Sequence, residues 1–272
     1  FLQHGISEKD MSHWLSNQPF DLFITASPGE HSSIIDNDTP YTYTGKEMRR
    51  TGLARHDRLV ALAKQMPVEK ANLLLVMPTW RGSLHKLNSE YEVANSSYVT
   101  HWGALLRSSE LRSVLNKEGI RLAFMPHTNA LPYLRLFNIP DDVLVFTKVD
   151  LGIQELFSRS IAMVSDYSSV AFEMAALRRL VFYYQFDRES FYGGDHNWRE
   201  GYFSHERDGF GPVATREDEL VDIIRRTFSN KLENRLEYLA RMERAIPEQD
   251  SLCCERTYQN IVQLNHPYRR RR

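Results

Sequence analysis

Two serines and a glutamate stand where a short apolar segment gives way to a polar turn. The apolar residues 161–164 suit a buried strand of a parallel sheet, and residues 165–169, here the serine turn, contain Ser168 and Ser169. The apolar run that follows indicates a helix, whose first N–H groups and positive dipole end favour a phosphate. Glu173 follows Ser169 by about one helical turn, so its carboxylate is placed to accept from a ribose or glycerol hydroxyl beside that phosphate.

The serine turn is open to a simpler interpretation. Asp166 or Ser168 would cap the helix by accepting a hydrogen bond from its first turn, a common use of both residue types. Glu173 would then be a solvated helix residue. The pattern alone does not separate a phosphate seat from a capped helix.

Two histidines follow the ends of other predicted strands. His4 precedes Gly5 after a strand end at residues 1–3, and glycine there suits a turn whose backbone comes close to a ligand. His127 follows a predicted strand at residues 121–125. Because ligands of parallel sheets bind beyond the carboxyl ends of the strands, we expect His127 and the serine turn to face one crevice.

Composition restricts the class of protein. The 272 residues carry a formal net charge of −1, so the basic footprint of a nucleic-acid-binding protein is missing. The two cysteines, Cys253 and Cys254, are adjacent, which argues against a disulfide framework or a spaced metal site and favours a reducing compartment. No apolar run approaches the ~20 residues that cross a membrane. The chain starts at Phe1 rather than Met and is predicted to be part of a longer protein.

Strands and helices alternate along most of the chain, which predicts an α/β layered architecture. From residue 71 to residue 184 the repeated unit indicates a Rossmann-like parallel sheet with helices on both faces. Strands are predicted at 20–26, 51–53, 71–77, 121–125, 143–146, 161–164 and 180–184. Helices are predicted at 7–15, 28–35, 55–65, 102–116, 131–137, 151–158, 170–177, 217–228, 231–244 and 252–264, and loops at 81–98 and 187–211.

Seven ordered motifs resemble those of the CDP-glycerol glycerophosphotransferase family, the teichoic-acid primases and polymerases and their capsule-polymer relatives. The match is incomplete, since Gln3 stands where members usually have Trp and Thr128 stands where they usually have Pro. The motifs are FLQHGI at 1–6, TGLARHDRL at 51–59, MPTWR at 77–81, FMPHTN at 124–129, SDYSSVAFE at 165–173, YYQFD at 183–187 and WREGYFSHERDGFGP at 198–212.

The resemblance implies a GT-B fold, in which two Rossmann-like domains enclose the active site. Residues 1–55 would be the remnant of the N-terminal, acceptor-side domain, and residues 56–272 would form the nucleotide-donor-binding domain with its C-terminal helices. The implied reaction transfers glycerol phosphate from CDP-glycerol to a hydroxyl of a lipid-linked or polymer acceptor and releases CMP. Its setting is teichoic acid or capsular polymer synthesis.

The implied reaction needs a base, because an alcohol is a poor nucleophile until its proton is removed. Histidine, with an ordinary pKa of about 6.5, suits that task. The resemblance makes His4, at the interdomain edge, the candidate base and gives His127 the role of donating to the pyrophosphate. The alternatives are a surface histidine near the chain terminus for His4 and a polar helix cap for His127.

Further residues complete the implied donor site. Ser168 and Ser169, with their backbone N–H groups, would hold the diphosphate, and Glu173 would bind a hydroxyl of the donor. Arg199 is the candidate phosphate clamp, because a guanidinium group can bind phosphate through two parallel hydrogen bonds. A salt bridge with an acidic residue of the same loop is the alternative for Arg199, and Arg81 is a second candidate clamp.

The sequence indicates no metal site and no cofactor, although Mg²⁺ bridging the diphosphate fits the implied chemistry. The missing GxGxxG and P-loop motifs argue against a dinucleotide oxidoreductase or an NTPase. The expected partners are CDP-glycerol or a related CDP-alditol and a lipid-linked polymer acceptor, with no nucleic acid. The resemblance also implies peripheral attachment to the cytoplasmic face of the membrane, which the basic tail at 269–272 would favour.

Two other functions fit the same residues. A transferase of the same fold would use CDP-ribitol or a nucleotide sugar, since the serine turn would serve any diphosphate. A non-catalytic module that binds a nucleotide or a polymer would keep the turn and need neither histidine.

Overall fold

The computed structural model describes residues 1–87, 89–147, 152–195, 199–229 and 235–264. These residues form a six-stranded and a two-stranded parallel sheet. The strands are β1 (Phe23–Thr25), β2 (Met48–Arg50), β3 (Leu73–Val76), β4 (Arg121–Phe124), β5 (Leu144–Val145), β6 (Ser160–Ser165), β7 (Leu180–Tyr184) and β8 (Val213–Ala214).

Helices connect the strands and cover the larger sheet. The α-helices are α1 (Ser12–Leu15), α2 (Pro28–Ile35), α3 (His56–Gln65), α4 (Glu90–Ala94), α5 (Ser97–Arg107), α6 (Ser109–Lys117), α7 (Ile153–Arg159), α8 (Ala171–Ala176), α9 (Arg188–Ser190), α10 (His205–Asp208), α11 (Glu217–Ser229), α12 (Arg235–Ala245) and α13 (Cys253–Leu264). Three 3₁₀ segments (Val68–Lys70, Gly82–Lys86 and Thr128–Phe137) and a π-helical turn (Phe191–Asp195) lie between them.

The larger sheet has the order β5-β4-β3-β6-β7-β8, which confirms the predicted α/β class. Its central strand β3 is wholly apolar and buried, as expected of a parallel strand covered on both faces. After β3 the chain builds outward through β4 and β5, then returns to lay β6 on the other side of β3. The carboxyl ends of β3 and β6 therefore flank the point where the direction of winding reverses, the usual place for a ligand.

The smaller sheet, β1 and β2, lies within residues 1–55 and has its own apolar cluster around Phe23 and Met48. Helix α2 follows β1 at the predicted place: the Ser27 hydroxyl accepts from Glu30 N at 2.9 Å, and Pro28 occupies the first turn. The division of the chain into domains at residue 55 stays a prediction.

Several predicted elements differ from the structure for local reasons. The predicted strand at 51–53 is displaced to β2, since Gly52 adopts a left-handed backbone (φ +76°). The predicted helix at 102–116 is two helices, because Ser108 ends α5 and its hydroxyl accepts from Leu111 N to begin α6. The predicted loops at 81–98 and 187–211 contain short helices.

The last helix returns to the middle of the chain. Asp57 accepts from Cys253 N at 2.9 Å and Cys254 N at 2.8 Å, and Arg256 Nε donates to Thr51 O at 2.9 Å. These contacts anchor α13 to residues on both sides of the predicted domain boundary. In the described part of the chain, no helix combines the length and the apolar character needed to span a membrane. The basic tail at 269–272 lies outside the described residues.

Candidate functional site

The serine turn is fastened to the segment that follows β3. Asp166 is fully buried, and its Oδ1 accepts from Thr79 N at 2.9 Å and from Tyr167 N at 2.8 Å. The Ser165 hydroxyl donates to Met77 O at 2.7 Å. These bonds join the ends of two neighbouring strands and fix the backbone from which Ser168 and Ser169 project.

Arg81 pairs with the buried carboxylate that fixes the serine turn. The side chain is 2% exposed, and its guanidinium lies 2.8 Å from Asp166 Oδ2 and 2.7 Å from Asp187 Oδ2. Burial lowers the pKa of Arg81, but the two carboxylates more than offset this and raise the pKa above its ordinary value. The prediction that Arg81 clamps a phosphate is therefore wrong, since its charge is balanced inside the protein.

Helix α8 gains little capping from the serine turn. Its N-cap residue is Val170, which provides no capping hydrogen bond, and the Asp166 carboxylate is spent on Thr79, Tyr167 and Arg81. Ser168 Oγ accepts a long 3.4 Å bond from Val170 N, two residues on. The prediction that Asp166 caps the helix is therefore wrong, whereas the prediction that Ser168 caps it keeps this one weak hydrogen bond. The helix itself has only six residues.

The His4–Gly5 turn lies directly against the serine turn. A Cβ built on Gly5 would stand 2.6 Å from Ser169 Oγ and 3.3 Å from Ser169 Cβ, so the close approach depends on glycine at this position. His4 is exposed beside this contact. The structure thus brings the predicted base next to the predicted diphosphate seat, although 164 residues separate His4 from Ser168 in the sequence.

A lysine that the sequence analysis missed also reaches the serine turn. Lys9 Nζ donates to Tyr167 O at 2.6 Å and lies 3.0 Å from Glu8 Oε1. Its ammonium group also stands 5.7 Å from the centre of the Phe191 ring. Lys9 therefore places a cation at the residue before Ser168. Nothing local in the sequence signals this contact, because its partner is 158 residues away.

Arg199 lies beside the same N-terminal segment. Its backbone O accepts from Asp10 N at 3.2 Å, and a Cβ on Gly201 would meet Glu8 O at 2.4 Å. The Arg199 side chain is exposed, while Glu200 pairs with Arg188 at 3.2 Å. The side chain of Asp195, like all of His196, lies outside the described residues. The role of Arg199 as a phosphate clamp stays a prediction.

His127 follows β4 and caps the 3₁₀ segment after it. Its Nδ1 accepts from Asn129 N at 3.1 Å, as the alternative interpretation predicted. A neutral ring with Nδ1 as acceptor carries its proton on Nε2, so capping is compatible with donation from that nitrogen. The ring stacks over Trp80 at 6.3 Å between centroids, and Trp80 itself is 7% exposed and belongs to the core.

Glu173 is buried against two basic residues that the sequence analysis did not assign. Oε1 accepts from Arg55 Nε at 2.7 Å, and Oε2 lies 3.3 Å from His56 Nε2. Burial raises the pKa of Glu173, but His56 and Arg55 outweigh it and lower the pKa below its ordinary value. The solvated-residue alternative is wrong. Binding of a donor hydroxyl by Glu173 stays a prediction, and both oxygens face other side chains here.

Within the described ranges, no three histidine, cysteine, aspartate or glutamate side chains are grouped so that they would hold a metal ion. The predictions on metal and cofactor are not tested by this arrangement.

Comparison with known proteins identifies relatives over most of the chain. Residues 3–263 match the family described as CDP-Glycerol:Poly(glycerophosphate) glycerophosphotransferase. The minor teichoic acid biosynthesis protein GgaB of Bacillus subtilis (strain 168) is 28% identical over 278 aligned residues, covering 98% of this chain and 29% of GgaB. The teichoic acid glycerol-phosphate transferase of Staphylococcus aureus (strain NCTC 8325 / PS 47) is 23% identical, covering 77% of this chain and 52% of that protein.

Solved structures show the same fold. The wall teichoic acid polymerase TagF superposes with a TM-score of 0.65 at 14% identity, over 97% of this chain and 68% of the TagF chain. A TagF variant soaked with CDPG gives a TM-score of 0.60 at 17% identity, over 90% of this chain and 58% of that chain. The present chain thus spans between 29% and 52% of the length of the two curated relatives. With the family match spanning residues 3–263, the chain belongs to the CDP-glycerol:poly(glycerophosphate) glycerophosphotransferase family.

Proposed function

We propose that this chain is the catalytic part of a transferase that moves glycerol phosphate from CDP-glycerol to an acceptor hydroxyl and releases CMP. The observation that carries the proposal is the contact of the His4–Gly5 turn with Ser169. The contact puts His4 beside the serine turn, and the reaction would need a base paired with a diphosphate seat in this way. Family membership and the TagF variant soaked with CDPG support the choice of donor.

The transfer is a displacement at the β-phosphorus of the donor. The acceptor oxygen forms a bond to phosphorus as its proton passes to the neutral His4 ring, and the bond from phosphorus to the CMP oxygen breaks. CMP leaves as a phosphate anion and takes the electron pair of the broken bond. Exposure of His4 leaves its ring accessible to an incoming hydroxyl.

Charge builds on the diphosphate as CMP departs, and fixed donors would stabilise it. Ser168 and Ser169 offer hydroxyls and Lys9 sets a positive charge at the turn. His127, protonated on Nε2, and the exposed guanidinium of Arg199 are the further donors we assign to the phosphates. In this proposal Glu173 positions Arg55 and His56 and reaches the donor only if those pairs open.

The acceptor and its location complete the proposal. We infer a lipid-linked or polymer acceptor of teichoic acid or capsular polymer synthesis, and attachment at the cytoplasmic face of the membrane as a peripheral protein. The similarity to GgaB and to the teichoic acid glycerol-phosphate transferase supports teichoic acid synthesis as the setting. The reaction as written needs no cofactor, and Mg²⁺ on the diphosphate is compatible with it.

A panel of donors tests the proposal. The full-length protein is titrated calorimetrically with CDP-glycerol, CDP-ribitol and nucleotide sugars, and CMP release is followed with a glycerol-phosphate-primed acceptor. We expect CDP-glycerol to bind most tightly and CMP to appear only with acceptor. Binding of another donor alone would redirect the proposal to that donor. Tight binding of CDP-glycerol with no CMP release on any acceptor would instead support a binding module.

A further inference from the structure

A buried carboxylate in the smaller layer holds the turn that carries His4. Glu30 is completely buried on α2, with 0% of its surface exposed. Its Oε1 accepts from Ser7 N at 2.6 Å and from Gln3 Nε2 at 3.1 Å, and its Oε2 accepts from Ala26 N at 2.8 Å. Two of these donors lie on either side of His4 and Gly5.

The residue before His4 needs such support. Gln3 adopts a left-handed backbone (φ 44°), which costs a residue with a Cβ about 1 kcal/mol. Gln3 Nε2 also donates to Ile24 O at 2.7 Å, so its amide spans β1 and Glu30 at once. The Gln3 side chain thus connects the turn to β1 and α2. These bonds hold Gln3 in a left-handed backbone conformation that is otherwise unfavourable.

We propose that Glu30 is a positioning residue for the transfer reaction, and that its three accepted hydrogen bonds set the place of the His4 ring relative to the serine turn. The inference rests on the function proposed for His4. Because Glu30 is completely buried, it would act through the backbone of residues 3–7 and not by contact with the donor or acceptor. A displacement of about 1 Å at a reacting group can cost about a hundredfold in rate, which gives such a support a large effect on turnover.

The charge state of Glu30 decides how many donors it can serve. Burial raises the pKa of Glu30 to about 7, and its hydrogen bonds with Ala26, Ser7 and Gln3 only partly oppose this. Protonation converts one acceptor oxygen into a donor and leaves a buried N–H without its partner. Tyr41 and Tyr202 are titratable groups that interact with Glu30, and burial raises the pKa of both phenols, to about 12 for Tyr41. Both are therefore uncharged near neutral pH.

The test compares Glu30→Gln with Glu47→Gln in the full-length protein. Glu47 lies in the same layer and accepts from Thr44 N at 3.1 Å and Thr44 Oγ1 at 2.8 Å, so it is the matched control. We expect Glu30→Gln to lower kcat about tenfold or more with KM for CDP-glycerol changed less than about threefold. Glu47→Gln should leave both constants near wild type. Unchanged kcat in a folded Glu30→Gln protein, or an equal loss through KM, would overturn the inference.

The pH profile provides a readout that a purely structural role would not move. Protonation of Glu30 should lower kcat on the acid side in the wild type, because it leaves a buried N–H without its acceptor. Glu30→Gln cannot gain this proton, so its log kcat should fall less steeply as the pH is lowered. Equal falls in the two proteins would contradict the role assigned to Glu30.

Two further measurements keep the inference testable. Gln3→Asn tolerates the left-handed backbone but is too short to reach Glu30, so it should lower kcat about threefold in the same manner. If Glu30→Gln does not fold, unchanged kcat in Gln3→Asn overturns the inference. Hydrogen exchange of the Ser7 and Ala26 amides can be measured without any assay of activity. Faster exchange in Glu30→Gln than in Glu47→Gln would support the role proposed for Glu30, and equal exchange would contradict it. Absence of CMP release by the wild type would count against the proposed function alone.

Discussion

The two turns that meet at the site are held by different means. The serine turn is held by a buried network of charged groups, in which Arg81 pairs with Asp166 and Asp187. The His4–Gly5 turn rests on one carboxylate, Glu30, which accepts from uncharged donors.

This difference predicts that the two turns respond differently to pH. The charges around Arg81 stabilise one another, so the serine turn should keep its shape across the neutral pH range. The pKa of about 7 for Glu30 places the support of the His4 turn in that same range. We therefore expect the turn predicted to bind the donor to be insensitive to pH, and the turn predicted to carry the base to respond to pH.

The largest effect is expected when the guanidinium of Arg81 is removed from the buried charges. Arg81→Met leaves Asp166 and Asp187 as uncompensated buried carboxylates, so the free energy of unfolding should fall by about 3–5 kcal/mol. Chemical denaturation measures this loss. The control is Arg216→Met, whose pair with Asp218 is 69% exposed on both sides, and it should change stability by less than about 0.5 kcal/mol. Equal effects would show that the network does not hold the turn.

The contact between the turns can be broken by one methyl group. Gly5→Ala sets a Cβ against Ser169 Oγ, and overpacking of this kind costs about 1–3 kcal/mol. Adding Ser169→Ala removes the oxygen and should restore part of the stability. Gly45→Ala is the control, because nothing lies within 4 Å of that position. Additive effects of Gly5→Ala and Ser169→Ala would contradict the contact.

The serine turn should determine donor affinity. The double variant Ser168→Ala, Ser169→Ala loses two hydroxyl donors to a charged group, so the calorimetric Kd for CDP-glycerol should rise about 30-fold, or about 2 kcal/mol. Ser113→Ala, on an exposed part of α6, should leave the Kd unchanged. An unaltered Kd in the double variant would remove the serines from the donor site.

A further effect concerns the pH dependence of stability. The pKa of Glu173 is lowered, so its contribution is full above the ordinary value and is lost as pH falls through the lowered folded value. Glu173→Gln should cost about 1–3 kcal/mol at pH 7 and flatten the fall in unfolding free energy at acid pH. Glu155→Gln, in a half-exposed pair with Arg58, should leave the slope unchanged.

The sequence predicted the elements whose signals are local. Ser27 and Pro28 mark the start of α2, and the apolar run of β7 at 180–184 has the bounds that the structure gives. The histidines and serines were singled out by their place after strands, and the order of motifs indicated the family. Helices and strands are thus predicted well when the residues that determine their ends lie within a few positions of those ends.

Contacts between distant segments were beyond such cues. Lys9 at the serine turn and Arg55 at Glu173 join residues more than a hundred positions apart. The role of Arg81 was predicted wrongly because the sequence after a strand end does not distinguish an arginine that faces a phosphate from one that faces a buried aspartate. Glu30 had a local signal: Ser27 with Glu three residues later is a capping-box pattern, but its reach to Ser7 depends on the fold.

The role of His4 as base is tested most directly by measuring turnover and donor binding separately. His4→Ala is measured for kcat by CMP release and for CDP-glycerol Kd by calorimetry, beside the wild type. Because His4 is exposed and is the proposed base, kcat should fall about 10²–10⁴-fold while Kd changes less than about threefold. Turnover near the wild-type rate, or a loss that appears wholly in Kd, would contradict the assignment of the base to the turn that meets Ser169.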